Sequence, residues 1–320
     1  MKEADQSLVR LLADGNFRSG SELGEVLGIS RAGVWKRVQR LADFGLTLES
    51  VKGKGYRLAQ PLELIDSDIV QRRLGGAADL HYQWVTGSTN ADALALVGPV
   101  TRPQVFVTEC QLAGRGRRGR AWQSPFAANL YVSIRFTLRG GFAALGGLSL
   151  AVGVSVAEAL RELEPALPVT LKWPNDLLVD GAKIGGVLIE LAGEMDGRVD
   201  VVIGVGLNGR MTAGQADAID QRWIDLAAVL PQMPSRTDLA SLVITRLMGM
   251  LPLFESDGFA AFAESFAQFD AVSGKNVVVR AVDQELVGVA DGVASDGALL
   301  LKTKDGLRSL YGGEVSLRIQ

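Results

Sequence analysis

One cysteine, Cys110, and one histidine, His81, are all that 320 residues contain of those two types. That scarcity excludes a disulfide framework and any zinc site built from clustered Cys and His. It also leaves a hydrolytic triad without a base beside a nucleophile, so Cys110 reads as a buried structural thiol. The N-terminus is charged and has no apolar core of a signal sequence, so secretion is not expected; a reducing, cytoplasmic setting is. No internal repeat and no low-complexity tract interrupts the chain. The one long uncharged run, Gly140 to Ala157, is diluted by Gly146, Gly147, Ser149, Gly153 and Ser155 and predicts a buried core helix, with no membrane partner.

Acidic residues exceed basic ones by 36 to 33, which rules out a chain-wide polycation. The excess is uneven. Residues 1–60 carry ten Lys/Arg against seven Asp/Glu and sit near +3, which leaves the remaining 260 near −6.

That basic segment reads as three helices and a hairpin. Leu8, Leu11 and Leu12 repeat at helical spacing up to Asp14-Gly15. Ser19 and Glu22 form a capping box ahead of Leu23, Val26 and Leu27, with Gly28 as the stop. Ser30 caps a third helix lined by Val34, Val38 and Leu41 and closed by Gly45. Its Arg31, Lys36, Arg37 and Arg40 project elsewhere. Two short helices joined at Gly28-Ile29-Ser30 make a helix-turn-helix. Leu46 to Val51 and Tyr56 to Leu58 flank Lys52-Gly53-Lys54-Gly55, a basic hairpin tip, so the unit over residues 1–60 is a winged helix. Ser30, Arg31, Lys36, Arg37, Lys52 and Lys54 are its candidate DNA contacts. Trp35 stands where a polar residue is expected on an exposed recognition face; whether it packs or meets DNA stays open. Pro61 marks a linker.

Over residues 62–270, strand-like runs at Gln104 to Glu109, Leu130 to Phe136, Val169 to Trp173, Lys183 to Leu191 and Val199 to Val205 alternate with helical stretches, giving an α+β domain. Asp180-Gly181 and Asp196-Gly197 between neighbouring runs favour antiparallel hairpins over a doubly wound parallel sheet. Beyond residue 271, short runs at Asn276 to Val282, Glu285 to Ala290, Ala298 to Lys302 and Val315 to Ile319 are punctuated by Asp291-Gly292, Asp296-Gly297, Asp305-Gly306 and Gly312-Gly313. They suggest a small barrel.

Gly114-Arg115-Gly116-Arg117-Arg118-Gly119-Arg120, followed by Trp122, interleaves four arginines with glycines that let backbone and guanidinium groups close round an anion. A phosphate-containing ligand is implied, either a small molecule or a nucleic-acid backbone. Lys172-Trp173-Pro174-Asn175-Asp176 and Lys183-Ile184-Gly185-Gly186 each set a lysine beside shape-fixing residues. Three cationic segments together suit nucleotide chemistry. Gly204-Val205-Gly206-Leu207-Asn208-Gly209 matches a dinucleotide fingerprint, but Arg210 to Gln215 carries no helical stripe to complete it.

Ser88-Thr89-Asn90, Gln111, the glycine–arginine loop, Trp122, Lys172 to Asp176, Lys183 to Gly186 and Asn208 occur in the order and spacing of the biotin protein ligase family, which the chain resembles over nearly its whole length. With Gly53-Lys54-Gly55-Tyr56 in the wing, it is similar to members that double as biotin-operon repressors. The resemblance implies a mixed or antiparallel sheet of the class II synthetase type and an SH3-like C-terminal barrel. It also implies adenylation of biotin by ATP with Mg2+, and transfer to a lysine of a biotin carboxyl carrier protein, a subunit of acetyl-CoA carboxylase. Operator DNA and a homodimer formed on biotinyl-adenylate complete its partners. Residue by residue, Ser88, Thr89, Asn90, Gln111, Gly114, Arg115, Arg117, Lys183, Gly185 and Gly186 are expected at biotin. Arg117, Arg118, Arg120, Trp122, Lys172, Asn175, Asp176, Lys183, Asn208 and Trp223 are expected at ATP or the adenylate, with no metal ligand assigned. Lys183, Arg117 and Arg115 are the expected catalytic groups. Trp223 either stacks on adenine or simply packs. A lipoate-type ligase or transferase, or a repressor that senses biotin without ligating it, is the alternative. The C-terminal unit either helps close the site or holds the carrier.

Overall fold

The computed structural model describes all residues except 99, 196, 281–284, 313–315 and 320. Asp196, Val282, Gly313 and Val315, which mark turns or strand ends in the sequence reading, lie outside the described residues.

Helices α1 (Glu3–Leu12), α2 (Gly20–Leu27) and α3 (Arg31–Leu41) precede the hairpin of β1 (Leu48–Val51) and β2 (Gly55–Leu58). Ser19 Oγ accepts from Glu22 N, Ser30 Oγ accepts from Gly33 N, and Gly28 turns left-handed as the sequence expects, whereas α3 ends at Leu41 and Gly45 closes a 3-10 turn, Ala42–Phe44, that follows it. Val26 departs from its expected place and is 64% exposed, because α2 buries the face through Gly20, Leu23 and Gly24. At Gly55 an added Cβ would lie 2.0 Å from Arg18 O, so only glycine lets the hairpin pair with the Arg18 backbone. The core of this unit, Leu8, Leu12, Leu23, Val34, Val38 and Leu41, runs on into Trp84, Cys110 and Phe126 of the next unit.

Next come α4 (Ser67–Leu74), β3 (Asp79–Thr86), α5 (Thr89–Ala95), β4 (Gln104–Gln111), β5 (Leu130–Arg139), α6 (Leu148–Leu163), β6 (Val169–Lys172), β7 (Asp176–Val179), β8 (Ala182–Met195) and β9 (Arg198–Leu207). Short helices α7 (Ala213–Ala216) and α8 (Leu226–Val229) lead to α9 (Arg236–Asp257) and α10 (Ala263–Phe269). The seven strands order β3-β4-β5-β9-β8-β7-β6. The hairpins expected at Asp180-Gly181 and after β8 are antiparallel, while β3 pairs parallel to β4 with α5 in the crossover. The sheet is therefore mixed. The helical stretch Gly141–Leu163 that ends in α6 is long and apolar enough to cross a membrane, but α6 packs against α9 and β6 with eleven residues buried, as a core helix does.

One buried ionic cluster fastens the linker to this sheet. Glu109, wholly buried on β4, is ion-paired with Arg236 at the start of α9 and accepts from Tyr82 Oη at 2.6 Å and from Ile65 N at 2.8 Å. Arg236 also donates to Glu63 O at 2.8 Å and to Asn129 O at 2.9 Å. Each buried charge is thus paired and hydrogen-bonded, the condition for keeping it in a core.

The C-terminal unit is an antiparallel sheet of β10 (Asn276–Arg280), β11 (Glu285–Val293), β12 (Leu299–Thr303), β13 (Gly306–Leu310) and β14 (Ser316–Ile319) in the order β13-β12-β11-β10-β14. Asp291-Gly292 does not end a strand. It makes a bulge within β11, where the register shifts between Ala290 and Val293 and Gly292 takes φ 79°.

Candidate active site

A cavity of about 570 Å³ opens between the ends of β4, β5, β8 and β9 and the glycine–arginine loop. Its floor needs missing side chains. A Cβ on Gly204 would lie 2.3 Å from Asn90 Oδ1, and one on Gly206 would lie 2.6 Å from the Trp122 ring. The Gly-x-Gly of β9 is therefore the bed on which Asn90 and Trp122 lie flat. This accounts for the fingerprint-like glycines without a dinucleotide.

One end of the cavity is lined by neutral polar groups, with the Glu190 carboxylate behind them paired to Arg115. Ser88 precedes α5, yet Gln111 Oε1 caps the helix by accepting from Thr89 N at 2.9 Å, so the Ser88 hydroxyl is not used as a cap. Gln111 Nε2 donates to Ser124 Oγ at 2.9 Å. Asn90 Nδ2 donates to Glu190 Oε2 at 2.8 Å, and Ser133 Oγ contacts both Thr89 Oγ1 and Asn90 Oδ1.

The other end is cationic. Lys183 Nζ lies 2.6 Å from Asp176 Oδ1 and 5.5 Å from the centre of the Trp122 ring. Arg117 donates to Asn175 Oδ1 at 3.0 Å and to Gly312 O, so a residue after β13 holds the loop. Burial lowers the Arg117 pKa, and the Arg118 charge adds to the effect while Asp176 opposes it. Burial likewise lowers that of Lys172, with Lys183, Arg318 and Arg120 pushing the same way and Asp176 opposing. Arg118 adopts φ 58° and Gly119 φ 71°, a left-handed pair that turns the loop back on itself. Such a field attracts an anion of several charges.

Eight predicted residues join this rim and floor directly: Arg115, Arg117, Arg118, Arg120, Trp122, Lys172, Asn175 and Asp176. Ser88, Thr89, Asn90, Gln111, Lys183, Gly186, Asn208 and Trp223 line the cavity with them. Gly114 and Gly185 do not. A Cβ on Gly114 would strike Ser124 Oγ and Trp122 O, and one on Gly185 would strike Leu207, so both are glycines for close packing. Asn208 spends Nδ2 on Lys183 O and Ile224 O, which binds the strand of Lys183 to the Trp223 segment. Sequence reading passed over Glu190, Ser133, Leu317 and Arg318. The signal for Glu190 was there: it is a carboxylate two and four residues beyond Leu188 and Gly186 on one face of a strand. Among the described residues no group of three His, Cys, Asp or Glu gathers as a metal site. The carboxylate at the cationic end, Asp176, suits an ion such as Mg2+ that binds mainly through substrate phosphates and water.

On the N-terminal unit, Ser30, Arg31, Lys36, Lys52 and Lys54 are exposed. Arg37 instead lies back toward Asp5, a buried carboxylate that Arg40 holds at 2.6 Å. Trp35 is 52% exposed beside Lys36.

Residues 85–208 match the family described as biotin/lipoate A/B protein ligase, residues 272–318 the biotin protein ligase C-terminal domain, and residues 5–57 an HTH domain. The chain is 41% identical over 314 residues to the bifunctional ligase/repressor BirA of Salmonella typhimurium, spanning 98% of this chain and 97% of that one. To the protein of the same name from Escherichia coli it is 39% identical, over 97% and 96% of the two chains. Its fold superposes on the biotin protein ligase of Aquifex aeolicus in complex with biotin and ATP, with TM-score 0.64, 28% identity, and 76% and 99% of the chains covered.

Proposed function

The chain belongs to the biotin/lipoate A/B protein ligase family, and on that premise we propose that it joins biotin to ATP, passes the activated biotin to a carrier lysine, and represses transcription through its winged helix. It is a biotin–[biotin carboxyl-carrier protein] ligase. The observation that carries this reading is the two-ended cavity, with neutral hydrogen-bonding side chains at one end and Lys183, Lys172, Arg117, Arg118 and Arg120 at the other.

Biotin suits that division. Its ureido ring asks for donors and acceptors, supplied by Ser88, Thr89, Asn90 and Gln111, and its carboxylate points toward Lys183. A carboxylate oxygen attacks the α-phosphorus of ATP, the bond to the bridging oxygen breaks, and pyrophosphate leaves with the electron pair. The lysine amine of the carrier then attacks the acyl carbon, AMP leaves, and the amine proton passes to solvent. No protein nucleophile is needed, so this chain's residues align the reactants and stabilise phosphate charge. Lys183 bridges the carboxylate and the α-phosphate, with Arg115 and Arg117 beside it. Arg118, Arg120, Lys172, Asn175, Asn208 and Trp223 serve the nucleotide. Asp176 is the carboxylate that would hold a magnesium ion arriving with ATP, which would offset phosphate charge.

Residues 1–60, 62–270 and 271–320 then act as DNA-binding, catalytic and site-closing units in the cytoplasm, with an acetyl-CoA carboxylase subunit as carrier. Biotinyl-adenylate favours a homodimer, so that two winged helices meet a two-fold operator. Sedimentation with and without biotin and MgATP is expected to show the mass double; an unchanged mass across the concentrations of operator binding removes the dimer.

The ligase reading is tested by incubating the protein with biotin, MgATP and a biotin-acceptor domain and weighing the acceptor. A gain of one biotinyl group is expected. No gain together with no pyrophosphate release overturns it in favour of lipoate chemistry or a binding-only sensor.

A further inference from the structure

Glu190 takes no part in the steps above, yet it sits at the head of a buried hydrogen-bond chain. Its Oε2 accepts from Asn90 Nδ2 at 2.8 Å, and Arg115 lies across both carboxylate oxygens at 3.2 and 3.3 Å. An ionised carboxylate only accepts, and a guanidinium only donates, so both contacts run toward Glu190. The Asn90 amide nitrogen therefore faces Glu190. The carbonyl of Leu188, 3.5 Å from the same nitrogen, requires that orientation too. Asn90 cannot swing away, because it lies against Gly204, where even a methyl group would meet its Oδ1 at 2.3 Å.

The orientation propagates. Asn90 Oδ1 now faces Ser133 Oγ at 2.6 Å and can only accept, so the Ser133 hydroxyl gives its proton there. Ser133 Oγ is 2.7 Å from Thr89 Oγ1 and has no second proton, so Thr89 donates to it. Two hydroxyl protons thus serve three oxygen–oxygen contacts, and the longest, Thr89 Oγ1 to Gln111 Oε1 at 3.2 Å, goes without. Thr89 Oγ1 is left with lone pairs and no free proton toward the cavity. Ser133 is fully buried and Thr89 and Asn90 nearly so, so bulk water cannot reset the direction of the chain.

We infer that Glu190 is a positioning residue which, through Asn90 and Ser133, sets Thr89 as a hydrogen-bond acceptor and thereby selects an N–H donor on the bound ligand. Resting on the ligase reading, this matches a ureido ring, which presents two N–H groups, and disfavours a ring whose polar edge only accepts. Without Glu190 only the longer Leu188 contact holds the amide; once it turns over, Asn90 donates to Ser133, Ser133 donates to Thr89, the Thr89 proton goes to Gln111 Oε1, and Thr89 Oγ1 has one lone pair fewer for a ligand N–H.

The test is titration calorimetry of biotin, without ATP, on the full chain. Glu190→Met removes the acceptor at similar length and is expected to weaken biotin about tenfold, the effect of one misdirected buried hydrogen bond. Glu190→Gln keeps an acceptor for Asn90 and is expected to bind within about twofold of the original protein. In a Thr89→Val background Glu190→Met should cost almost nothing more, since the relay has lost its last member. Ser133→Ala cuts the chain in the middle and should behave as Glu190→Met does, which covers a Met variant that fails to fold. Unchanged affinity in Glu190→Met or Ser133→Ala, no restoration by Gln, or a loss that persists in full beside Thr89→Val overturns the relay. If the unmodified protein takes up no biotin, the ligase reading falls and the relay with it; if it does and the variants match it, only the relay falls.

Discussion

Lys183 Nζ and Asp176 Oδ1 are 2.6 Å apart, with the Trp122 ring beneath the ammonium, so this lysine is held by a carboxylate before any phosphate arrives. The pair is mostly sheltered, at 16% and 21% side-chain exposure, and it places the charge where Asn208 fastens the Lys183 backbone.

Lys183→Ala should therefore lower the rate of pyrophosphate release by about 10²–10³ while leaving thermal stability nearly unchanged. Lys183→Arg should recover little, because the wider guanidinium cannot sit between Asp176 and Trp122. Stopped-time assays of pyrophosphate would check both, and a Lys183→Ala protein of full activity would remove Lys183 from the reaction.

The glycine-rich stretch from Gly114 to Gly119 is fixed mainly through Arg115 and Arg117, by Glu190, Asn175 and Gly312. Filling the cavity should add phosphate contacts to the same arginines, so biotin with MgATP should protect the loop from trypsin. Equal cleavage with and without ligands would mean that the loop does not respond to what it surrounds.

Trp35 projects 52% exposed from α3 beside Lys36, on the helix that enters the major groove in helix-turn-helix proteins. Trp35→Ala should weaken binding to a duplex selected from a random pool by the original protein about tenfold, as loss of a base contact does. Its salt slope should stay the same. Lys36→Ala should instead flatten the slope by about one. Anisotropy titrations at several salt concentrations would separate the two, and a Trp35→Ala protein of unaltered sequence preference would assign the ring to packing or solvent.

Burial pushes the Cys110 thiol up to about 11, and the neighbouring Glu109 charge adds to the effect. At pH 8 the thiol stays protonated, so native protein should resist iodoacetamide and alkylate only as urea unfolds it. Intact mass after timed exposure reads this out. Rapid labelling of native protein would show the Cys110 environment to be open.

The parts of this molecule that sequence exposed are those written in neighbouring residues. Caps at Ser19 and Ser30, the Lys172 to Asp176 turn and the hairpin at Asp180-Gly181 each lie within a few positions, where pattern and turn chemistry act directly. Glu190, Ser133 and the Glu109–Arg236 pair escaped because their meaning lies in partners 43 to 127 positions away, and a charged residue inside a strand looks the same whether it faces water or an arginine. The parallel strand β3 escaped because its Asp79, His81 and Gln83 break the apolar run expected of a covered strand. Asp291-Gly292 misled for the opposite reason: the dipeptide suits a turn and a bulge equally, and only pairing of β11 with β12 chooses.

Leu62 N donates back to Ala13 O, and Pro61 packs on Gly15, whereas Glu63 and Ile65 are seized by Arg236 and Glu109. The backbone hydrogen bonding therefore passes from repressor to ligase across a single peptide bond, between residues 62 and 63, while the two units share the apolar cluster of Trp84, Cys110 and Phe126. A shortened enzyme that starts at Glu63 carries its strap with it and keeps both buried charges satisfied. One that starts at Ser67, although it loses no strand and no cavity residue, strips Glu109 and Arg236 of partners inside the core. Any lineage or engineer wishing to shed the DNA-binding unit must therefore stop at residue 62, since residues 63–66 belong to the enzyme.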